Sequence, residues 1–80
     1  MSSFDDDIKA MRRQVTAEVI YTINSSPELY NLLKNIKASK EMKSAVYAYA
    51  AEHNGEFGPL FEAELDVLNR NDWKAIVEGV

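Results

Sequence analysis

The stretch at residues 51–61, AEHNGEFGPLF, has the spacing of a DNA-binding helix-turn-helix. Ala51 is followed four residues later by Gly55 and, six residues after that, by the bulky apolar Phe61. In this motif the second helix enters the major groove, where it needs positive charge and hydrogen-bond donors. The corresponding segment, residues 58–66, contains three carboxylates and no basic residue. Because those carboxylates would face phosphates, we expect no duplex DNA binding and interpret the spacing as a packing pattern for two crossing helices.

The titratable side chains form no recognisable catalytic or metal-binding pattern. His53 is the only histidine and cysteine is absent, so the usual nitrogen and sulfur ligands of zinc are missing. We expect His53 to be partly buried and to satisfy a carbonyl near the end of a helix. Glu62 and Asp66 lie four residues apart on one helix face, but so do many solvated pairs. Phosphate and calcium loops are also absent from the sequence, so we expect a protein that is not an enzyme and uses no cofactor or metal.

Chain length and composition limit the classes of protein to consider. Eighty residues make one domain, spanning 1–80, with a net charge of −4. No apolar run approaches the ~18 residues of a membrane span, so we expect no membrane partner. The acidic start, MSSFDDDIK, lacks the order of a secretory signal. We therefore expect a soluble, cytoplasmic domain.

Charge is distributed unevenly along the chain. Residues 8–43 carry seven basic and three acidic side chains, a balance of +4, whereas residues 52–80 carry two basic and seven acidic ones, a balance of −5. The simplest interpretation is that these charges solvate the outer faces of helices. Two alternatives are that the acidic half mimics nucleic acid, or that a basic face including Arg12 and Arg13 binds RNA or another anionic surface.

The elements that position these residues are all predicted to be helices. The first runs to about Asn24, with an apolar stripe made of Phe4, Ile8, Met11, Val15, Val19, Thr22 and Ile23. The segment NSSPE ends it and starts a second helix, whose stripe is Leu29, Leu32, Leu33 and Ile36. Residues 27–53 could form one helix or two. We favour a break near residues 38–39, with Ser39 able to cap the helix that follows.

The second half of the chain is predicted to contain two or three further helices. The third ends at Asn54-Gly55, a good left-handed cap, and the fourth begins at Gly58-Pro59. Asn71 or Asp72 can cap a short last helix, whose apolar residues are Trp73, Ile76 and Val77. No segment alternates with period two. The sequence thus predicts an all-α fold, a small single-domain bundle of four to five helices with orthogonal or irregular packing.

The third predicted helix is apolar on nearly every side. Met42, Ala45, Val46, Tyr49 and His53 cluster on one face, and Ser44, Tyr47, Ala48 and Ala51 cover most of the other. Such a helix is normally covered on both sides, so the favoured interpretation is a central helix. The alternative is that its second face contacts another protein or a second copy of this chain, giving a homo-oligomer.

The function best supported by these patterns is that of a protein-interaction module: a small adaptor, inhibitor or regulator of the kind found among phage and mobile-element accessory proteins. Aromatic residues away from a core face often anchor interfaces. The predicted partner-binding residues are Tyr30, Tyr47, Ala51, Glu62, Asp66 and Trp73. The predicted core residues are Val15, Leu33, Val46, Leu65 and Leu68.

Overall fold

The computed structural model describes residues 3–53 and 61–80, except for the side chains of residues 3, 61 and 62. These residues form five helices and no strand, which confirms the predicted all-α class. The helices are α1 (Ser3–Ser25), α2 (Pro27–Leu33), α3 (Ser39–Glu52), α4 (Phe61–Leu65) and α5 (Arg70–Gly79). The predicted cap at Asn54-Gly55 and the predicted helix start at Gly58-Pro59 lie outside the described residues.

The N-terminal half of α1 extends beyond the core. Val15, Val19 and Ile23, spaced by four residues, are buried, whereas Phe4 is 72% exposed and Met11 is 44% exposed. The helix has 23 residues, about 34 Å at 1.5 Å per residue, and α5 has only ten. A short helix cannot cover the full length of a long one. The stripe assigned from the sequence is therefore correct in phase but is buried only in its C-terminal part.

The predicted break between α2 and α3 is confirmed, although its cap is not. Ser26 caps α2, because its Oγ accepts a hydrogen bond of 3.3 Å from the backbone N–H of Leu29, and Pro27 follows at the first helical position. α2 ends at Leu33 and α3 begins at Ser39. The N-cap of α3 is Ala38, which has no side chain able to bond the first turn, so the expected cap by Ser39 is wrong.

A reciprocal capping box starts α5. The side chain of Asn69 accepts a 2.9 Å hydrogen bond from the N–H of Asp72, and the Asp72 carboxylate accepts one of 2.9 Å from the N–H of Asn69. The N-cap of α5 is therefore Asn69, and the predicted cap at Asn71 or Asp72 is wrong. Asn69 is preferred because it has an acid three residues later, which satisfies a second N–H of the helix end.

One hydrophobic core joins the helices, and all five predicted core residues are buried in it. α5 contacts both α1 and α3, α2 contacts α1, and α4 contacts α3. Ser44, Ala48 and Ala51 of α3 are exposed. The favoured interpretation of α3 as a helix covered on both faces is therefore correct only in part: Tyr47 of the second face packs against the core, whereas its small side chains are exposed. Small side chains look apolar in the sequence but offer little surface to bury.

Two contacts between distant parts of the chain hold α1 against the C-terminal half. The Arg12 Nε–H donates a 3.0 Å hydrogen bond to the carbonyl of Val67, and the Asn24 side-chain amide donates one of 3.1 Å to the carbonyl of Gly79. At Gly79 a Cβ atom would lie 2.8 Å from Cδ1 of Ile20. Glycine therefore allows the end of α5 to approach α1 more closely than any other residue would.

Candidate protein-binding groove

Three of the predicted partner-binding residues lie together, but they stabilise the fold. The Tyr47 hydroxyl donates a hydrogen bond to Oδ1 of Asp66, which joins α3 to the turn after α4. The ring of Tyr47 lies 6.3 Å from that of Trp73, at an interplanar angle of 39°. Trp73 is only 2% exposed and belongs to the core. It cannot anchor a partner at the surface, so its assignment as a partner-binding residue is corrected to a core position.

The other three predicted partner-binding residues, Tyr30, Ala51 and Glu62, belong to three different helices. Tyr30 on α2 is 38% exposed, and Ala51 on α3 is exposed. Asp66 is exposed but is already the acceptor for Tyr47. The side chain of Glu62 lies outside the described residues.

A groove that the sequence did not indicate lies between α1 and α4. Its volume is about 320 Å³. It is lined by Met11, Gln14, Val15, Glu18, Ala63, Glu64 and Val67. The hydrogen bond from Arg12 to the Val67 carbonyl holds the two sides of the groove together. Ala63 is the smallest of the lining side chains.

An exposed apolar surface continues from this groove along α1. Phe4 precedes Met11 by seven residues, or about two helical turns, so both side chains lie on the same face. Ile8, between them, is half-buried. Large apolar side chains exposed side by side are uncommon on monomeric proteins and mark interaction sites. We use the name α1 apolar surface for Phe4, Ile8 and Met11 together with the residues that line the groove.

Carboxylates lie at the groove and at the start of α1. Glu18 and Glu64 line the groove and are exposed, and Asp5, Asp6 and Asp7 are exposed at the start of α1. Gln14 is the only lining residue that is polar and uncharged. The two charged side chains that line the groove are therefore both carboxylates, which favours a partner whose apolar side chain is flanked by basic ones.

His53 has the structural role that the sequence predicted. It is half-buried at the C-cap of α3, where its Nδ1–H donates a 3.0 Å hydrogen bond to the carbonyl of Tyr49. Its ring stacks on that of Tyr49, with centroids 4.1 Å apart. Among the described residues, no three His, Cys, Asp or Glu side chains are arranged to hold a metal ion. In the same residues no helix is long and apolar enough to cross a membrane.

Comparison with known proteins finds no matching family model, no matching curated protein and no matching solved structure.

Proposed function

We propose that this protein is a non-enzymatic interaction module that binds a segment of a partner protein along the α1 apolar surface. The observation that carries the proposal is the exposure of Phe4 and Met11 beside a groove lined mainly by apolar side chains. The partner segment would insert one large apolar side chain between α1 and α4. Basic residues on either side of it would face Glu18 and Glu64.

The size of the groove favours a side chain over a free small molecule. At about 320 Å³ it is at the lower end of the range of roughly 300–1,000 Å³ for ligand sites. Burying one leucine or phenylalanine contributes about 1.5–3 kcal/mol. Micromolar binding requires about 8 kcal/mol, so the anchor alone is insufficient. The remainder would come from contact with Phe4 and Met11 and from the carboxylates that line the groove.

The charge of the partner is the part of the proposal that is easiest to test. Peptides of equal length can carry one leucine or tryptophan anchor flanked by either lysines or glutamates. We expect only the lysine-flanked set to bind, with amide chemical-shift changes in NMR spectra centred on Met11, Ala63 and Val67. Binding of both sets with equal affinity, or of neither, would contradict the proposal.

A pair of variants locates the binding surface. Met11→Glu places a carboxylate at the groove and is expected to abolish peptide binding. Tyr21→Glu is the matched control, because Tyr21 is also on α1 and is 73% exposed but does not line the groove. Both variants change exposed residues and should remain folded by circular dichroism. Equal loss of binding in the two variants would place the contact elsewhere.

A further inference from the structure

A second cavity lies where the first turns of α3 and α5 meet. Its volume is about 290 Å³. It is lined by Ser39, Lys40, Lys43, Leu68, Asn69, Arg70 and Trp73. Three of these seven residues are basic and none is acidic. This concentration of positive charge occurs in a chain whose net charge is −4.

Among the described residues, the three basic side chains have no partner. In the described part of the chain, Lys40, Lys43 and Arg70 make neither an ion pair nor a side-chain hydrogen bond, and all three are exposed. Like charges that lie close together repel one another, and a bound anion would offset this repulsion. Arg70 also offers a planar set of N–H donors that matches an oxyanion.

The backbone at the start of α3 adds further donors. The first N–H groups of a helix have no intrahelical acceptor and usually bond to the side chain of the cap. Here the cap is Ala38, which cannot supply such a bond, and Ser39 and Lys40 at this end line the cavity. The positive end of the dipole of this 14-residue helix therefore meets the same space as the basic side chains.

Trp73 forms part of the wall of the basic cavity. Its indole Nε1 is buried and has no hydrogen-bond partner among the described residues. Buried tryptophan N–H groups usually find an acceptor, because leaving one unpaired costs about 1–3 kcal/mol. Trp73 lines the basic cavity, but this nitrogen is closed to water, so an anion in the cavity would meet the indole ring and not its N–H. The start of α5 is different, since Asn69 and Asp72 already satisfy each other.

From these features we infer that the cavity binds the phosphate group of a small phosphorylated molecule. Lys40, Lys43 and Arg70 would neutralise its charge, and the uncapped first turn of α3 would donate backbone hydrogen bonds. The volume accommodates a phosphate with a small part of the molecule attached to it. None of the residues lining this cavity lines the groove of the α1 apolar surface, so the inference does not depend on the proposed function.

Trp73 is the only tryptophan, so its fluorescence reports directly on the cavity. We would titrate the full chain with inorganic phosphate and with pyrophosphate, holding ionic strength constant with sodium chloride. A saturable change in emission is expected, accompanied by NMR shifts of the amides of Ser39 and Lys40. A change that remains linear in ligand concentration, or the absence of any change, would overturn the inference.

Two double variants that remove equal charge distinguish a specific anion site from general electrostatic attraction. The double variant Lys40→Gln with Lys43→Gln should weaken pyrophosphate binding at least about tenfold. The control is Lys34→Gln with Lys37→Gln, which removes the same charge between α2 and α3 and should change affinity by less than about twofold. All four lysines are exposed, so both proteins should fold. Arg70→Lys, which keeps the charge, should also weaken binding. If the two double variants weaken pyrophosphate binding equally, the anion is attracted by overall charge and the inferred site is overturned.

Discussion

Replacing Tyr47 with glutamate should destabilise the protein, although its hydroxyl lies at the surface. The hydroxyl donates a hydrogen bond to Asp66, and the ring lies against that of the buried Trp73. Tyr47→Glu removes both contacts and places a second carboxylate near that of Asp66. The control is Ala51→Glu, one turn further along α3, at an exposed residue.

The expected loss of stability follows from these contacts. A hydrogen bond to a carboxylate is worth about 1.5–3 kcal/mol, and we take about 1 kcal/mol here because the pair is exposed. The aromatic contact adds about 0.5–1.5 kcal/mol, and repulsion between two carboxylates adds up to about 1 kcal/mol. Tyr47→Glu should therefore cost about 1.5–3.5 kcal/mol. Tyr47→Phe, which removes only the hydrogen bond, should cost about 1 kcal/mol.

Urea unfolding followed by circular dichroism and by Trp73 fluorescence measures these differences. Ala51→Glu should cost less than about 1 kcal/mol, mainly from a negative charge near the C-terminal end of a helix. The reasoning is refuted if Ala51→Glu is as damaging as Tyr47→Glu, because α3 would then be oriented differently. Light scattering on the same samples shows whether the exposed face of α3 pairs two copies, in which case only Ala51→Glu would lower the mass while the protein stays folded.

Three further changes test the core, the start of α5 and its end. Leu33→Ala should lower the free energy of unfolding by about 2–5 kcal/mol, because the side chain is fully buried; a midpoint in urea equal to that of the parent would contradict this. Asn69→Ala should cost about 1 kcal/mol through loss of the capping box, whereas Asn71→Ala should be near neutral in the same assay. Gly79→Ala should lower the melting temperature through its contact with Ile20, and a second change, Ile20→Ala, should make Gly79→Ala less damaging in a double-mutant cycle.

Periodicity and helix-end chemistry were sufficient to predict most of the fold. Ser26 and Pro27 place the start of α2, and the four-residue spacing of Val15, Val19 and Ile23 identifies the buried face of α1. Such local signals depend only on neighbouring residues. They do not determine how much of a helix face other helices cover. The spacing therefore predicts Phe4 in a buried stripe, although its side chain is exposed.

The candidate sites depend on tertiary arrangement and could not be predicted in the same way. Met11 and Ala63 line one groove, and Lys40 and Arg70 line one basic cavity. Neither pair is linked by a local pattern. Trp73 illustrates the same limit, since a tryptophan in a short apolar helix can point into the core or towards a partner, and only the packing of α5 decides between them.

The hydrogen bonds that tie α1 to the C-terminal half have a consequence for the order of folding. Arg12 and Val67 are separated by 55 positions, and so are Asn24 and Gly79. Closing so long a loop is entropically costly, whereas α1 and α2 are adjacent in the chain and can pair locally. We therefore expect α1 and α2 to associate early and the core to close only when α5 supplies Trp73 and Ile76. On the ribosome, the domain could not complete its core until α5 had left the exit tunnel, and until then the buried faces of α1 and α3 would be open to chaperones.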